Sequence, residues 1–487
     1  MSSSVRFLLG HEARELESVD PTMTVLQYLR TRERRTGTKE GCAEGDCGAC
    51  TVVLGEPDRE GRMRYRAVNA CILFVPTLDG CQLLTVEHLR GENGEMHPAQ
   101  RAMVELHGSQ CGFCTPGFVM SLFALYLSEA APSRQRICDV IAGNLCRCTG
   151  YRPIIDAASA MYGYPFDDPF QGREAETVER LRAIRRMDTL ELEHQGRRYL
   201  APVSVDGLTE ALGRYPDATL LAGGTDVGLW VTKQHRDLNT VIYLGDVAEL
   251  HGIDESADAL DIGAAATHTE LMDVLARNYP DFGEMMRRFA SVQIRNSGTL
   301  GGNVANGSPI GDSMPVLIAL GARVVLNGPA GRRELPLEDL YIAYGKQDRR
   351  PGEFVERIRV PKLTAEDQFR CYKISKRFDQ DISAVCAAFR VRVQGGRITE
   401  ARIGMGGVAP VPARAKGTEK ALEGRPWDET TAREAEAALA AEFTPLTDMR
   451  ASQDYRRRVA ANLLRKFFVE TTQPAAATRV FAEEASA

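Results

Sequence analysis

The sequence lacks the features that would indicate a nucleic-acid-binding, membrane-spanning or secreted protein. Acidic residues outnumber basic ones, 66 to 60, so a net charge of −6 provides no basic surface for nucleic acid or an anionic membrane. The longest apolar run, GFVMSLFALYL, is too short to span a bilayer and predicts a buried helix. No basic start precedes an apolar segment in MSSSVRFLLGHEARELE, so no secretory signal is predicted.

Size and composition indicate a globular protein of several domains. The chain has 487 residues, of which 44% are hydrophobic and 26% charged, and this length predicts about two to four domains. Twelve cysteines would suggest disulfides only outside the cell. Eight of them fall into two groups with ligand-like spacing, which favours a reducing cytoplasm. The other four are expected to be small buried hydrophobic residues: Cys81, Cys138, Cys371 and Cys386.

The first cysteine group has the spacing of a plant-type [2Fe–2S] site. Cys42, Cys47 and Cys50 in KEGCAEGDCGACTVV precede Cys71 in NACILFV, with gaps of four, two and twenty residues. Glycine and alanine fill the loop, so its backbone can curl tightly and point amide N–H groups at sulfur. Buried or disulfide-bonded cysteines are the alternative, and the spacing argues against them. The motif therefore predicts one-electron transfer.

A second cysteine group follows within a helical region. Cys111 and Cys114 lie in QCGFCTPGF, and Cys146 and Cys148 lie in GNLCRCTGYRP. Zinc with four cysteine ligands is an alternative to iron–sulfur here, but zinc knuckles prefer C-x2-C in both halves. Prolines just after each pair are expected in the first turns of helices. The pattern favours a second cluster.

Two glycine-rich segments indicate an anion site in the second half of the chain. TLLAGGTDVGL ends an apolar run in a Gly–Gly turn, and FASVQIRNSGTLGGNVANGSPIGD contains two further turns. Adjacent glycines let main-chain N–H groups approach a phosphate closely. Neither segment is the G-x-G-x-x-G fingerprint, so a Rossmann domain is not supported. The loops predict a nucleotide pyrophosphate site without identifying the nucleotide.

Hydrophobic periodicity predicts an α+β multidomain protein. Short strands with a helix from Thr24 to Leu29 are expected over residues 1–85, and apolar steps of three and four predict helices over 86–162. The polar stretch 163–194 is predicted to be a linker with a short helix at most. The remaining segments are a mixed α+β region, an antiparallel strand-and-helix region and a disordered alanine-rich tail: residues 195–365, 369–475 and 476–487.

CGFCTPG together with GNLCRCTGYRPI, after a plant-type ferredoxin motif, resembles the molybdenum hydroxylase (xanthine oxidase) family over nearly the whole chain. The resemblance implies a ferredoxin-like β-grasp domain and a helical-bundle [2Fe–2S] domain. It further implies an α+β FAD-binding domain of the vanillyl-alcohol-oxidase and CO-dehydrogenase flavoprotein type with a C-terminal α+β subdomain. The implied ligands of the molybdenum-side and flavin-side clusters are, respectively, Cys111, Cys114, Cys146 and Cys148, and Cys42, Cys47, Cys50 and Cys71.

The same resemblance implies contacts to FAD, because LLAGGTDVGL and TLGGNVANGSPIGD are similar to the two FAD-binding loops of the family. The implied loop residues are Leu220, Leu221, Ala222, Gly223, Gly224, Thr225, Asp226 and Val227, then Thr299, Leu300, Gly301, Gly302 and Asn303. Outside the loops they are Phe289, which stacks near the adenine or flavin, Asp312 on a ribitol or ribose hydroxyl, Val355, and Lys373 near the flavin ring. Without the resemblance, Phe289 would be interpreted as a core residue and Lys373 as a solvated strand-edge charge.

The sequence contains no segment for molybdopterin after the flavin region. The resemblance therefore implies a large molybdenum-cofactor partner subunit, in an α2β2 heterotetramer, that oxidises hypoxanthine and xanthine to urate. Electrons would pass through both clusters and FAD to NAD+, and no residue of this chain is assigned to substrate oxidation. An equivalent subunit for an aldehyde, nicotinate or another heterocycle would look much the same. Two hypotheses from different functional classes are a stand-alone diaphorase-type flavoprotein and a zinc-binding scaffold.

Overall fold

The computed structural model describes residues 3–58, 60–91, 93–476 and 478, which form two compact units. The first unit comprises Met1–Gly252, Ala265–Glu270 and Ala290–Gly302, and the second comprises Ile253–Ala264, Leu271–Phe289 and Asn303–Ala487. Within the described ranges, every helix is too short or too polar to cross a lipid bilayer. The α+β multidomain class predicted from the sequence is confirmed.

The N-terminal part of the first unit is a five-stranded sheet with one helix. Its elements are β1 (Val5–Leu9), β2 (Glu12–Leu16), α1 (Val25–Thr31), β3 (Thr51–Pro57), β4 (Met63–Asn69) and β5 (Gln82–Leu84). The strand order is β2-β1-β5-β3-β4, with β1 and β5 parallel and the other pairs antiparallel. Helix α1 follows a capping box in which Thr24 and Gln27 bond each other's backbone N–H groups. The charged edge strand β2 was not predicted.

The next part of the first unit is helical, as predicted. Its helices are α2 (Pro98–Glu105), α3 (Thr115–Ser128), α4 (Arg134–Ile141) and α5 (Arg152–Ala160). Prolines occupy the first turns of α3 and α5. Helix α3 contains the whole of the long apolar run and is buried from Gly117 to Leu125, so this run forms a core helix.

The predicted linker over residues 163–194 contains more structure than expected. It contains α6 (Pro169–Gly172), the three-turn helix α7 (Glu174–Ile184) and the strand β6 (Leu190–His194). The prediction of a short helix at most was wrong, because a narrow stripe of Thr177, Val178 and Leu181 is enough to bury one side of α7. The polar composition of the rest of the segment concealed that stripe.

A second sheet of the first unit positions the first glycine-rich loop. Its further elements are β7 (Arg197–Ala201), α8 (Val205–Arg214), β8 (Thr219–Leu221), α9 (Val227–Thr232) and β9 (Thr240–Tyr243). The strand order is β6-β7-β9-β8, with β9 parallel to both β7 and β8. The loop therefore leaves the carboxyl end of a parallel strand, where ligands commonly bind in α/β sheets.

The second unit begins with an antiparallel sheet of order β10-β11-β16-β12-β13. The strands of this region are β10 (Ile253–Glu255), β11 (Ala259–Gly263), β12 (Arg323–Asn327), β13 (Arg333–Pro336), β14 (Tyr341–Ala343), β15 (Lys346–Gln347) and β16 (Phe354–Pro361). The helices of the same stretch of chain are α10 (His268–Asn278), α11 (Pro280–Arg287), α12 (Val292–Arg295), α13 (Leu300–Asn306) and α14 (Ser313–Leu320). Helix α12 belongs to the first unit, and α10 and α13 each begin in the first unit and end in the second.

The C-terminal region of the second unit consists of antiparallel strands followed by helices. Its elements are β17 (Asp367–Ile374), β18 (Val385–Gln394), β19 (Arg397–Gly406), β20 (Ala413–Arg414), α15 (Lys416–Leu422), α16 (Glu429–Glu442) and α17 (Gln453–Thr472). The sheet is antiparallel in the order β17-β18-β19-β20. The predicted disordered tail over 476–487 lies, except for residues 476 and 478, outside the described residues.

Candidate functional site

The first cysteine group converges at one end of the N-terminal sheet. Strands β3 and β4 pair Thr51 with Asn69, which places Cys50 just before one strand and Cys71 just after the other. The Cys42 thiol contacts those of Cys47 and Cys71, and the Cys71 thiol also contacts that of Cys50. Cys50 and Cys71 are buried, whereas Cys42 and Cys47 are half-buried. The four predicted ligands of the flavin-side cluster are therefore together.

The loop around Cys42 is shaped to surround sulfur with backbone donors. The amides of Asp46 and Cys47 donate to Cys42 Sγ over 3.4 and 3.3 Å. The loop turns through left-handed conformations at Gly45 and Gly48, with φ of 79° and 68°. A Cβ on Gly41 would lie 2.6 Å from Cys47 Sγ, so a larger residue there would displace a candidate ligand. Tight turns and sulfur-directed amides were both predicted from the sequence.

Contacts among the thiols shift their pKa values in opposite directions. Hydrogen bonds from the Cys47 and Cys71 thiols lower the pKa of Cys42, whereas the same contacts raise the pKa of Cys47 and that of Cys71. Thiolates are the form that binds metal, so loading this site must release the remaining protons.

The second cysteine group lies where α3 and α5 begin. Its thiols form two pairs, Cys111 with Cys148 and Cys114 with Cys146. Burial and the contact with Cys146 raise the pKa of Cys114 to about 12. Cys111 and Cys148 are exposed, and the other two are half-buried. The four cysteines predicted to bind the molybdenum-side cluster are therefore also together, and two of them are exposed at the surface.

Residues of the second motif that sequence reasoning missed support these sulfurs. The Thr149 hydroxyl lies 3.1 Å from Cys146 Sγ, and the Thr149 amide donates to the same sulfur over 3.5 Å. The Cys146 amide donates to Tyr151 Oη over 2.9 Å. Tyr151 adopts a left-handed φ of 69° just before α5. Their occurrence in CRCTGY, between the last cysteine pair and a helix start, was the signal that could have identified them.

The thiol arrangement fits a pair of irons better than a single ion. Structural zinc draws four ligands to a single centre, whereas a [2Fe–2S] cluster takes one pair of thiolates on each iron. The two separate pairs of the second group therefore favour iron–sulfur over zinc.

The first glycine-rich loop, residues 220–227, packs against the start of the second loop within the first unit. A Cβ on Gly223 would lie 1.7 Å from the carbonyl oxygen of Ser297. A Cβ on Gly298 would lie 3.4 Å from Thr225 Oγ1, which is an ordinary contact. The structure thus brings the two predicted FAD loops together, and the position of Gly223 has no room for a side chain.

The second loop continues into α13. Gly302 donates its amide to Thr299 Oγ1 over 3.0 Å, so the threonine caps the start of the helix. The Leu300 amide donates to the Ala266 carbonyl over 3.0 Å. These bonds fix Thr299, Leu300 and the glycines that follow, as a phosphate-facing loop requires.

Helix α9 links the first loop to the flavin-side cysteines. A Cβ on Gly228 would lie 2.7 Å from the carbonyl oxygen of Ile72, and one on Gly224 would lie 3.2 Å from it. Ile72 directly follows Cys71 in the chain. Thr232 Oγ1 also donates to the Ala43 carbonyl over 2.8 Å. A predicted cluster ligand is thereby one peptide bond from a residue that touches the predicted FAD loop.

Asp312 and Lys373 form a buried ion pair within the second unit. Lys373 Nζ donates to Asp312 Oδ2 over 2.6 Å, to the Asp381 carbonyl over 2.7 Å and to Ser383 Oγ over 2.9 Å. Ser383 Oγ in turn donates to Asp312 Oδ1 over 2.6 Å. All three protons of the ammonium are used, so Lys373 orients Asp312 and is not a solvated strand-edge charge. Ser383 was missed because nothing in SAVC marks it.

The other predicted FAD contacts are also in the second unit. Phe289 is half-buried just after α11, and Asn303 lies in α13, where its Oδ1 accepts a hydrogen bond from Ser313 Oγ. Val355 is buried in β16 opposite Leu326, where the register between β12 and β16 shifts. Their contact with FAD remains a prediction.

Four family models match successive parts of the chain. They are described as a 2Fe-2S iron-sulfur cluster binding domain, a [2Fe-2S] binding domain, an FAD binding domain in molybdopterin dehydrogenase and a CO dehydrogenase flavoprotein C-terminal domain, over residues 9–76, 85–159, 192–363 and 370–471. The order of cofactor domains along the chain thus agrees with the sequence prediction.

Curated relatives include xanthine dehydrogenase from Emericella nidulans, 31% identical over 96% of this chain and 38% of the relative. Xanthine dehydrogenase/oxidase from Gallus gallus is 29% identical over 96% of this chain and 40% of the relative. The chain thus spans about two-fifths of the length of these relatives.

Solved structures extend the comparison. A chain of carbon monoxide dehydrogenase from Hydrogenophaga pseudoflava is 30% identical, with a TM-score of 0.52 over 55% of this chain and 94% of that one. A chain of quinoline 2-oxidoreductase from Pseudomonas putida 86 is 27% identical, with the same TM-score over 56% and 96%. The protein is accordingly a member of the molybdenum hydroxylase family and contains the FAD and [2Fe–2S] electron-transfer module of such enzymes.

Proposed function

We propose that the chain is the electron-transfer subunit of a xanthine dehydrogenase. It takes electrons from a molybdenum-cofactor partner subunit that oxidises hypoxanthine and xanthine to urate, and delivers them to NAD+. When bound, FAD accepts single electrons and releases them in pairs, which is what this delivery requires. The relatives named xanthine dehydrogenase, which match along nearly the whole chain, support the choice of substrate.

Graded burial of the cysteines is the observation that carries the proposal. Cys111 and Cys148 are exposed. The apolar residues Phe113 and Leu145, which directly precede the other two cysteines of the group, are 49% and 42% exposed. Cys50 and Cys71 are buried, and the residue after Cys71 touches the predicted FAD loop. A surface group suits entry of electrons from a partner, and a buried group beside the flavin loop suits their exit. We infer an α2β2 heterotetramer in which the partner covers the exposed cysteines.

The chain's own residues have three tasks in this proposal. Backbone amides around Cys42 and the Thr149 hydroxyl stabilise negative charge on sulfur. The packed glycine loops provide amides for a pyrophosphate, and Asp312, held by Lys373 and Ser383, offers a carboxylate to a sugar hydroxyl. We place the protein in the cytoplasm, because eight of its cysteines are gathered as candidate iron ligands and are not joined in disulfides, as a reducing compartment allows.

The test is purification of the native complex followed by mass spectrometry of the partner and a substrate assay. Formation of NADH on addition of xanthine, with a molybdenum-containing partner, is the expected result. NADH-dependent dye reduction by the isolated chain, with no partner copurifying, would instead identify a stand-alone diaphorase.

A second candidate is the equivalent subunit of another molybdenum hydroxylase. The structures of carbon monoxide dehydrogenase and quinoline 2-oxidoreductase match with the same TM-score of 0.52, so the fold does not select the substrate. Activity of the same complex on a quinoline-type heterocycle, nicotinate or an aldehyde, with none on xanthine, would favour this candidate.

A further inference from the structure

A buried polar cluster lies between the two cysteine groups of the first unit. We call it the amide junction; its members are Thr51, Ser121, Asn144 and Gln293. Each of the four residues is at most 2% exposed. They come from β3, α3, the loop after α4, and α12, so four separate segments meet there. Binding of iron by the cysteines does not by itself require the amide junction.

Gln293 is the centre of the amide junction. Its Nε2 lies 3.3 Å from Thr51 Oγ1, 3.1 Å from Ser121 Oγ and 3.1 Å from Asn144 Oδ1. A buried amide group that loses such partners is destabilised, so the contacts restrict where Asn144 can lie. Gly143 leaves the necessary space, since a Cβ there would lie 2.0 Å from Gln293 Oε1.

Asn144 connects this amide to both cysteine loops. Its Nδ2 donates to the Gly48 carbonyl over 3.0 Å, and Gly48 directly follows Cys47. Asn144 also precedes Cys146 by two residues. Between them, the Leu145 amide donates to the Cys47 carbonyl over 2.9 Å. One hydrogen bond thus joins a predicted ligand of the flavin-side cluster to the neighbour of a predicted ligand of the molybdenum-side cluster.

We propose that Gln293 is a positioning residue for electron transfer between the two clusters. It holds Asn144 against the Cys47 loop and so maintains the Leu145-to-Cys47 hydrogen bond, along which single electrons pass from one cluster to the other. Electron transfer slows steeply when a bonded path is replaced by a gap, so a small displacement here matters. This inference rests on the proposed function, in that both cysteine groups hold clusters.

Gln293 connects the amide junction to the predicted FAD site along the chain. Gln293 lies outside both cysteine domains, in a segment that runs from Ala290 into the second glycine-rich loop at Thr299. The part of the chain that contributes to the predicted FAD site therefore also sets the separation of the clusters. A mutation in the amide junction would then slow electron transfer between the clusters while the chain still binds iron and FAD.

The experiment uses the full chain with its clusters and FAD. Gln293→Leu removes the side-chain amide at similar volume. Gly143→Ala keeps the amide but adds a Cβ that would lie 2.0 Å from Gln293 Oε1, so the amide must move. Gly213→Ala in α8, where a Cβ meets nothing within 4 Å, is the matched control. The measurements are iron and FAD content, the magnetic interaction between the two reduced clusters by electron paramagnetic resonance (EPR), and the rate of electron exchange between them after rapid partial reduction.

Both junction variants are expected to retain iron and FAD, to show an altered magnetic interaction, and to exchange electrons severalfold more slowly than wild type and Gly213→Ala. Wild-type exchange rates and magnetic interaction in both variants would overturn the proposal. Loss of iron in both variants, with normal exchange in the molecules that retain it, would also overturn it, because the junction would then only stabilise the fold. Absence of two iron–sulfur signals in wild type would instead reject the proposed function.

Discussion

The ammonium group of Lys373 lies 2.6 Å from a carboxylate oxygen of Asp312, and both side chains are only 2% exposed. Neither charge has access to bulk water, so each depends on the other and on Ser383 for stabilisation. The pair belongs to the second unit and contains two of the predicted FAD contacts. Lys373 and Ser383 together fix the position of the Asp312 carboxylate.

Removing the ammonium is expected to destabilise the protein and weaken FAD binding. Lys373→Met leaves Asp312 buried without its counter-charge, which should lower the free energy of unfolding by about 3–5 kcal/mol. Lys376→Met is the matched control because Lys376 is exposed, and it should change stability by less than about 0.5 kcal/mol. Denaturant unfolding and the flavin-to-protein ratio measure both effects. Equal stability of the two variants would contradict the role of the buried pair.

Replacing one cysteine of the exposed group should interrupt electron flow without removing the flavin. Cys148→Ser is expected to damage the molybdenum-side cluster and abolish substrate-dependent NADH formation, while NADH-to-dye activity through FAD stays largely intact. Cys138→Ser in α4 is the control, since this half-buried cysteine is not a predicted ligand. Steady-state assays of both reactions and iron content test this. Unchanged substrate-dependent NADH formation in Cys148→Ser would reject the ligand assignment.

The close approach of the two glycine-rich loops predicts that no side chain fits at Gly223. A Cβ would lie 1.7 Å from the Ser297 carbonyl, so Gly223→Ala must separate the loops, at a cost of about 1–3 kcal/mol. The expected result is a low flavin-to-protein ratio with both iron–sulfur signals retained. Gly213→Ala, which has open space around it, should bind FAD normally. Full FAD occupancy in Gly223→Ala would show that the loops were misassigned.

The buried, neutral side chain of His97 is expected to cause part of the acid sensitivity of the first unit. Burial among Phe123, Tyr126 and Phe166 lowers the pKa of His97 to about 3, and its Nδ1 accepts the Ala99 amide, which requires a neutral ring. In the unfolded chain His97 therefore gains a proton near pH 6.5, whereas in the folded chain it stays neutral down to about pH 3. The stabilising contribution is complete above pH 6.5 and is lost by about 1.4 kcal/mol per pH unit as pH falls towards 3.

Substitution by a residue that caps but does not titrate isolates this effect. His97→Asn can still cap α2, so it should lower stability at neutral pH through lost packing and yet flatten the decline below pH 6.5. His88, whose pKa burial lowers to about 4, leaves a residual slope in both proteins. Urea unfolding at about pH 7 and about pH 5 measures the difference. Parallel slopes for variant and wild type would contradict the assignment.

The parts of the site that depend on short motifs could be predicted from the sequence. Ligand spacing and glycine turns are local, so the convergence of Cys42 with Cys71 and of the two glycine-rich loops followed from residue type and order. Helix α1 was predicted because its apolar residues Val25 and Leu29 recur with helical spacing.

Features that depend on tertiary packing could not be predicted in the same way. Helix α7 has too narrow an apolar stripe to stand out in a charged segment. The lysine at position 373 was expected to be solvated on residue type alone, because its partners, the Asp312 carboxylate and the Asp381 carbonyl, come from distant or irregular segments. The amide junction could not be predicted for the same reason, since Gln293 and Asn144 are 149 residues apart in the sequence.

The most direct test of the account is iron and acid-labile sulfide analysis of the purified holoprotein combined with EPR of its reduced form. The expected result is about four irons per chain and two distinct [2Fe–2S] signals, one for each cysteine group. A single signal with about half that iron, or zinc in place of iron in the second group, would contradict it.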